Sequence, residues 1–163
     1  MRHLVRAFYL LSLFTLAGLA QAASSSSQET PKQIVDAYMA AWNAHDAEKA
    51  AGYLAKDAEY FDVTVGTPQK GREAARDNVI KVFVGAVPDL KWKMNGKPIV
   101  DKDGIAFQWT FSGTNTGAWD AQTPATNKPL SFDGVSYVKV KDGKIVYQGD
   151  YYDALGLHKQ LGW

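Results

Sequence analysis

Apolar residues in the first part of the chain recur every four positions, which is typical of a helix. Ile34, Tyr38 and Trp42 have this spacing, so their side chains share one face. Residues 30–33 precede them and combine an N-cap threonine, a proline at the first helical position and a capping-box glutamine. The pattern therefore predicts a first helix over about residues 31–43.

Two more helices and one short strand are predicted before residue 89. Asp46 is placed to cap a second helix that ends near Ala55. A third helix shows apolar residues, Val82 among them, at helical spacing, and Pro88 lies beyond its end. The predicted ranges are 58–64 for the strand, 66–71 for the loop that follows and 72–85 for the third helix.

From residue 89 onward the apolar positions alternate with polar ones, which predicts strands. Ile105, Phe107, Trp109 and Phe111 alternate most clearly and share one face. Helices followed by hairpin-linked strands predict an α+β fold, with one curved antiparallel sheet whose concave face is covered by the helices. The predicted strands span residues 90–100, 105–117, 130–140 and 144–152, and a final helix capped by Asp153 spans residues 154–161.

The turn before the last strand decides which face of the sheet carries Asp150. A three-residue loop, Lys141-Asp142-Gly143, would place Gly134 opposite Asp150 and turn Asp150 toward the helices. A two-residue Asp-Gly turn is the alternative. It would move Asp150 to the face of Asp133, because a slip of one residue flips every side chain. We favour the three-residue loop.

An inward-facing Asp150 is a candidate general base. Its neighbours on that face would be Ser136, Gln148 and Tyr152, and Gly134 opposite it would leave space. A carboxylate in a mostly apolar cavity loses solvation, which raises its pKa. Such a carboxylate suits proton transfer near neutral pH. The structural alternative is that Asp150 caps the final helix or accepts hydrogen bonds from backbone amides.

The first 22 residues have the three-part pattern of a secretory signal peptide. Arg2 and Arg6 form a basic start, residues 7–19 form an apolar run, and Ala20-Gln21-Ala22 fits a cleavage site. An uncleaved membrane anchor is the alternative, but the apolar run is short for a span of about 20 residues. We expect a signal peptide over residues 1–22, a disordered serine-rich tether over residues 23–29, one domain over residues 30–163, and a secreted or periplasmic location.

Composition excludes several classes of function. The chain has 18 Lys and Arg, 17 Asp and Glu, and no cysteine. Loss of Arg2 and Arg6 with the signal peptide leaves 16 basic against 17 acidic residues, so we expect no binding to nucleic acid or to a membrane. The absence of cysteine excludes disulfides and thiolate metal ligands. His45 and His158 lie far apart and outside any metal motif, so we expect no histidine-based metal site.

The last third of the chain resembles a known family. It contains FSGTNTG from residue 111, FDG from residue 132 and KDGKIVYQGDYYDALGLHKQLG from residue 141. With AYMAAWNAHDAEKAAGYL in the helical part, these strings resemble the SnoaL-like polyketide cyclases of the nuclear transport factor 2-like superfamily, which also holds ketosteroid isomerase. The resemblance covers about residues 31–162. It implies a cone-shaped α+β barrel with a deep apolar pocket, commonly dimeric through the outer face of the sheet.

The resemblance also implies a chemistry and a set of site residues. The cyclases of this family close a ring by an intramolecular aldol reaction without a cofactor, using an aspartate near the end of the last strand, here Asp150. At the position where the family has a partner histidine, this chain has Ser136, which cannot titrate. Asn115, on the face of Trp109 if the strand stays regular, could donate a hydrogen bond to a substrate oxygen. The remaining candidate substrate contacts are Trp109, Tyr38, Trp42, Tyr60, Gln148 and Tyr152.

Three classes of function stay open on these grounds. An enzyme would use Asp150 to move a proton next to the carbonyl of a substrate. A binding module would hold a small apolar ligand without reaction, and its aspartate would be fully hydrogen-bonded. A partner-binding protein would use the tyrosine-rich outer face of the sheet, which is also where a homodimer would form.

Overall fold

The structure is a computed structural model that describes residues 28–163. The predicted signal peptide and all but the last two residues of the predicted tether lie outside the described residues. Within residues 28–163, no helix is both long and apolar enough to cross a membrane.

The order of elements follows the predicted division into helices and then strands. The helices are α1 (Pro31–Asn43), α2 (Ala47–Ala51), α3 (Arg72–Ala75), a π-helical segment (Arg76–Ile80), α4 (Lys81–Ala86) and α5 (Ala154–Leu161). The strands are β1 (Leu54–Asp62), β2 (Gln69–Lys70), β3 (Lys91–Val100), β4 (Gly104–Thr114), β5 (Pro129–Lys141) and β6 (Lys144–Tyr152).

Helix α1 forms as the sequence predicts. The Thr30 hydroxyl accepts a hydrogen bond from the Gln33 backbone N–H at 3.3 Å, and the Gln33 side chain accepts one from the Thr30 N–H at 2.9 Å. This capping box satisfies two backbone donors at the start of the helix. The stripe of Ile34, Tyr38 and Trp42 is buried against the sheet. Helix α2 is shorter than predicted, because β1 already begins at residue 54.

The third predicted helix is interrupted by a π-helical turn. Residues 72–86 are helical throughout, but residues 76–80 have the wider π geometry. A π turn holds an extra residue and therefore rotates the rest of the helix. Phe83 is buried as a result, whereas Val82, which the regular spacing placed in the core, is only half-buried.

The sheet is curved, does not close into a barrel, and has the strand order β2-β1-β6-β5-β4-β3. The expectation of an antiparallel sheet is correct for the hairpins of β3 to β6 but wrong for one pair, since β1 runs parallel to β6. Strand β2, predicted as loop, pairs antiparallel with β1. Local hairpin patterns cannot indicate a pairing between distant strands such as β1 and β6.

The turn between β5 and β6 is the two-residue alternative, so the favoured three-residue loop is wrong. Lys141 pairs with Lys144, and Asp142 and Gly143 between them have φ angles of 50° and 73°. Positive φ at both central residues is the hallmark of the type I′ hairpin turn. By itself this turn would send Asp150 to the outer face.

A bulge after the turn reverses that consequence. Val140 pairs with Ile145 but Lys139 pairs with Tyr147, so Val146 is an extra residue in β6. The extra residue shifts the alternation by one position and returns the remainder of β6 to the predicted faces. The predicted partner of Asp150 was Gly134, and the observed partner is Ser136. Asp150 therefore faces inward, as predicted, in a register displaced by two residues.

Candidate functional site

A narrow cavity lies between the helices and the inner face of the sheet. Its apolar walls are formed by Trp42, Phe83, Trp92, Trp109, Phe111 and Phe132, and its polar lining by Tyr60, Asp62, Asp150 and Tyr152. About 20 Å³ is open to the centres of water molecules, which is room for about one water. Any larger ligand therefore requires movement of aromatic side chains.

Asp150 is held at this cavity by three side chains. It is only 4% exposed. Ser136 donates its hydroxyl proton to Oδ1 at 2.5 Å, and Tyr60 donates its own to Oδ2 at 2.6 Å. The Nε2 of Gln148 donates to Oδ2 at 2.9 Å. Gln148 Nε2 also lies 3.2 Å from Oδ1, so the three side chains hold the carboxyl through both of its oxygens.

The indole of Trp109 fixes the serine of this network. Its Nε1–H donates to the Ser136 hydroxyl oxygen at 2.7 Å, which orients the Ser136 proton toward Asp150. Both β5 and β4 thus contribute to the position of a side chain on β6. Gly134 gives the indole its place, because a Cβ at that position would lie 2.3 Å from the Trp109 ring.

Burial governs the acidity of Asp150. The loss of hydration raises the pKa of this carboxyl to about 7, although the hydrogen bonds from Ser136 and Tyr60 lower it. The nearby charge of Asp62 adds to the increase. A carboxyl with such a pKa exists in both forms near neutral pH, so it can accept a proton and return it.

Asp62 is the cavity residue that the sequence analysis missed. It is 3% exposed and pairs with Asp150 in the parallel register of β1 and β6, so the two side chains lie next to each other on the inner face. Burial raises the pKa of Asp62, against the lowering effect of hydrogen bonds from Thr64. The available signal was alternation within residues 58–64, which places Asp62 on the same face as Tyr60.

Three polar atoms near the cavity have no hydrogen-bond partner among the described residues. They are the Oη of Tyr38, the Nε1 of Trp42 and the Oε1 of Gln148. A buried polar atom without a partner costs free energy unless water or a ligand satisfies it. Trp42 lines the cavity, and its unpartnered indole N–H is a candidate donor to an oxygen atom bound there.

Asn115 does not join this group. It is completely buried, but its amide donates to the backbone carbonyls of Ala86 at 3.0 Å and Gly117 at 2.7 Å. Its own carbonyl accepts from the backbone N–H and the hydroxyl of Thr126 at 2.9 and 3.0 Å. The regular strand that would have kept Asn115 on the face of Trp109 ends at Thr114. Asn115 therefore ties the loop over residues 115–127 to helix α4.

The structure thus brings together most of the predicted site residues. Ser136, Gln148 and Tyr60 contact Asp150, and Trp109 contacts Ser136. Trp42 and Tyr152 line the cavity, whereas Tyr38 is buried behind it and makes an edge-on contact with the Trp42 ring. In the described part of the chain, no group of three or more His, Asp or Glu side chains is placed to hold a metal ion.

Solved structures share this fold over nearly their whole length. TsrD from Streptomyces laurentii is 26% identical, and the match covers 80% of this chain and 93% of that one with a TM-score of 0.67. IdmH from Streptomyces antibioticus is 23% identical over 83% of this chain and 100% of that one, with a TM-score of 0.68. A protein with a ketosteroid isomerase-like fold from Catenulispora acidiphila, in complex with trimethylamine, is 21% identical over 82% and 95% of the two chains, with a TM-score of 0.67.

Comparison with protein families gives a direct assignment. No curated protein matches the chain. The sequence model of the SnoaL-like polyketide cyclases matches residues 32–161, which is nearly all of the described domain. The nuclear transport factor 2-like fold agrees with this match. The chain belongs to the SnoaL-like polyketide cyclase family.

Proposed function

We propose that the protein is a cofactor-independent cyclase or isomerase that moves a proton next to a carbonyl group, with Asp150 as the base. The observation that carries the proposal is a buried carboxyl on the cavity wall with its pKa raised to about 7. In the first step Asp150 takes a proton from the carbon beside the carbonyl. The C–H electrons form an enolate, whose oxygen accepts a hydrogen bond from Trp42 Nε1–H, a donor without a partner among the described residues.

The second step distinguishes the two reaction types. In an isomerase, Asp150 returns the same proton to a different carbon of the enolate. In a cyclase, the enolate carbon attacks a second carbonyl of the same molecule, and the new alkoxide takes the proton from Asp150. Both routes restore the ionised carboxylate. The aromatic walls favour a flat apolar substrate, and the narrow cavity admits its reacting end only after side-chain movement.

The test is exchange of hydrogen for deuterium at carbons beside carbonyl groups. Small cyclic ketones and diketones in heavy water provide the substrates, and proton NMR follows the loss of the C–H signals. Asp150→Asn removes the base, so we expect the enzyme-dependent exchange rate to fall by about 10²- to 10⁴-fold. Asp133→Asn is the matched control, since Asp133 lies on the outer face of neighbouring strand β5. Equal rates for wild type and Asp150→Asn would contradict the proposal.

A second candidate function is binding of a small apolar ligand without reaction. It is favoured by the three side-chain donors that already hold Asp150 and by the unpartnered Trp42 and Gln148 atoms, which could bind a fixed ligand. Tight binding of a carbonyl compound with no exchange, in wild type and Asp150→Asn alike, would establish this function instead.

We further propose that the protein forms a homodimer through the outer face of the sheet. Val135, Tyr137 and Tyr151 project from that face and are 42%, 44% and 48% exposed, although they are apolar or aromatic. Val135→Glu and Tyr137→Glu together should give a monomer in light scattering. A wild-type monomer would refute the proposal.

We also propose that the protein is exported. The support is the three-part pattern of residues 1–22. Fractionation of cells followed by N-terminal sequencing should find a chain that begins near Ala23 outside the cytoplasm. An intact N-terminus inside the cell would refute it.

A further inference from the structure

The second carboxyl at the cavity, that of Asp62, sits in a tight turn at the end of β1. The backbone N–H groups of Thr64 and Val65 donate to its Oδ1 at 2.9 and 3.2 Å, and the Thr64 hydroxyl donates to the same oxygen at 2.6 Å. Tyr152 donates from β6 at 3.0 and 3.1 Å to the two carboxyl oxygens. These contacts explain why an acceptor oxygen is needed at position 62.

They do not explain why the residue is charged. An asparagine supplies the same acceptor oxygen and forms the same kind of turn. A buried carboxylate costs much more than a buried amide unless a cation pairs with it. No salt bridge within residues 28–163 includes Asp62 or Asp150. The charge at position 62 is therefore a cost that the turn itself does not require.

The charge acts on the carboxyl of Asp150, the neighbour that can ionise near neutral pH. The two residues are side by side on parallel strands, both line the cavity and both are nearly completely buried. The other titratable groups that face them are phenols: Tyr60 on β1, Tyr152 on β6 and Tyr38 on α1. Two adjacent buried carboxyls without a cation cannot both ionise easily, so the pair retains one proton at a higher pH than either carboxyl alone.

We infer that Asp62 is a positioning residue for the proton of Asp150: the two carboxyls share one proton, and the charge of Asp62 sets the pH at which Asp150 can act as a base. The inference rests on the proposed function for its use in a reaction. When Asp150 takes the substrate proton, the C–H electrons stay on the substrate, and repulsion between the two carboxylates is relieved. The return of that proton to the substrate restores the doubly ionised pair.

The geometry around Asp62 provides a variant that removes only the charge. In Asp62→Asn, the new amide can donate to the Tyr152 oxygen, Tyr152 can donate to Thr64, and Thr64 can donate back to the Asn oxygen. The three contacts already have the required lengths. Asp62 Oδ2 lies 3.1 Å from the Tyr152 oxygen, the Tyr152 and Thr64 oxygens are 2.7 Å apart, and the Thr64 oxygen lies 2.6 Å from Asp62 Oδ1. The substitution thus closes a ring of hydrogen bonds, and the variant should fold.

The experiment follows the ionisation of Asp150 by NMR, on protein labelled with ¹³C at the aspartate carboxyls and without any substrate. In Asp62→Asn we expect the titration midpoint of Asp150 to fall by about one to two pH units, from the loss of a like charge at close range. Asp133→Asn on the outer face should leave the midpoint unchanged. An unchanged midpoint in Asp62→Asn would overturn the inference, because Asp62 would then serve the turn alone.

A measurement on the wild type keeps the inference testable if the variant does not fold. The Asp62 and Asp150 signals should each shift in two steps at common pH values, since each carboxyl senses the ionisation of the other. Independent single-step curves would overturn the inference. The outcomes also separate it from the proposed function: coupled titration without exchange activity would refute only the proposed reaction, and exchange activity without coupling would refute only the role of Asp62.

Discussion

Asn115 and the Asp62–Asp150 pair are equally buried polar sites, and they differ in what surrounds them. Asn115 uses both amide protons and its carbonyl oxygen on loop and helix groups, and nothing is left over. The carboxyl pair lines a cavity, has no cation partner in the described chain, and lies near unpartnered polar atoms of Trp42 and Gln148. A buried polar side chain whose hydrogen bonds are all made within the protein indicates a structural role, whereas a buried charge beside a cavity indicates a role in binding or catalysis.

The largest loss of stability is expected at the structural site. Asn115→Ala removes four hydrogen bonds and leaves a buried carbonyl of Ala86 and half-buried partners on Gly117 and Thr126 unsatisfied. We expect the free energy of unfolding to fall by about 3 kcal/mol, measured by denaturant titration. Exchange activity of the folded variant should stay near that of the wild type. A small stability loss with abolished activity would instead indicate a catalytic or binding role for Asn115, and would contradict the distinction between Asn115 and the Asp62–Asp150 pair.

A smaller effect with a different signature is expected at Ser136. Ser136→Ala removes one donor to Asp150 and the acceptor of Trp109 Nε1. Stability should fall by about 1–2 kcal/mol. The ionised form of Asp150 loses a hydrogen bond, so its pKa should rise and the activity should begin at a higher pH. Ser131→Ala, at an exposed position of the same strand, should change neither the stability nor the pH profile.

The smallest effect is expected where only one of several donors is removed. Thr126→Val deletes the hydroxyl that donates to Asn115, while the backbone N–H of the same residue still donates to that oxygen. We expect a loss of about 0.5–1 kcal/mol in the free energy of unfolding and no change in activity. A loss as large as that of Asn115→Ala would show that the hydroxyl, not the whole network, holds the loop.

The local parts of the fold were predictable from the sequence. The capping box and the stripe of α1 are encoded within 13 residues, and the Asp153 cap of α5 is confirmed by a 2.8 Å bond from the Gly156 N–H. These features depend on neighbouring residues alone, which is why periodicity and side-chain type are sufficient to find them.

The candidate site was predictable only in part. The inward direction of the Asp150 side chain was predicted correctly but for a wrong reason. A two-residue turn followed by a bulge at Val146 puts Asp150 on the same face of the sheet as a three-residue loop would have done. Asp62 was missed because its partner β6 is distant in the sequence and runs parallel to it. Asn115 was assigned to the substrate because alternation was extended beyond the end of β4. Long-range pairing and strand ends leave little local signal.

The central claim is that Asp150 is a buried carboxyl with a raised pKa. It is tested most directly by comparing the unfolding free energy of wild type and Asp150→Asn between pH 4 and pH 8. A folded-state pKa of about 7 means that the folded protein holds this proton where the unfolded chain has released it. The wild type should therefore lose up to about 4 kcal/mol of stability between about pH 4 and pH 7 from this group, and the variant should not.

Asparagine should accordingly be nearly neutral at pH 4 and stabilising at pH 8. The Oε1 of Gln148, which has no partner within residues 28–163, can turn toward the new amide and accept a hydrogen bond from it, which limits the cost of the substitution. The opposite result is a variant that is destabilised at pH 8, with the loss shrinking toward pH 4. That result would mean that the hydrogen bonds of Ser136, Tyr60 and Gln148 depress the pKa of Asp150, and it would contradict the assignment of Asp150 as a base.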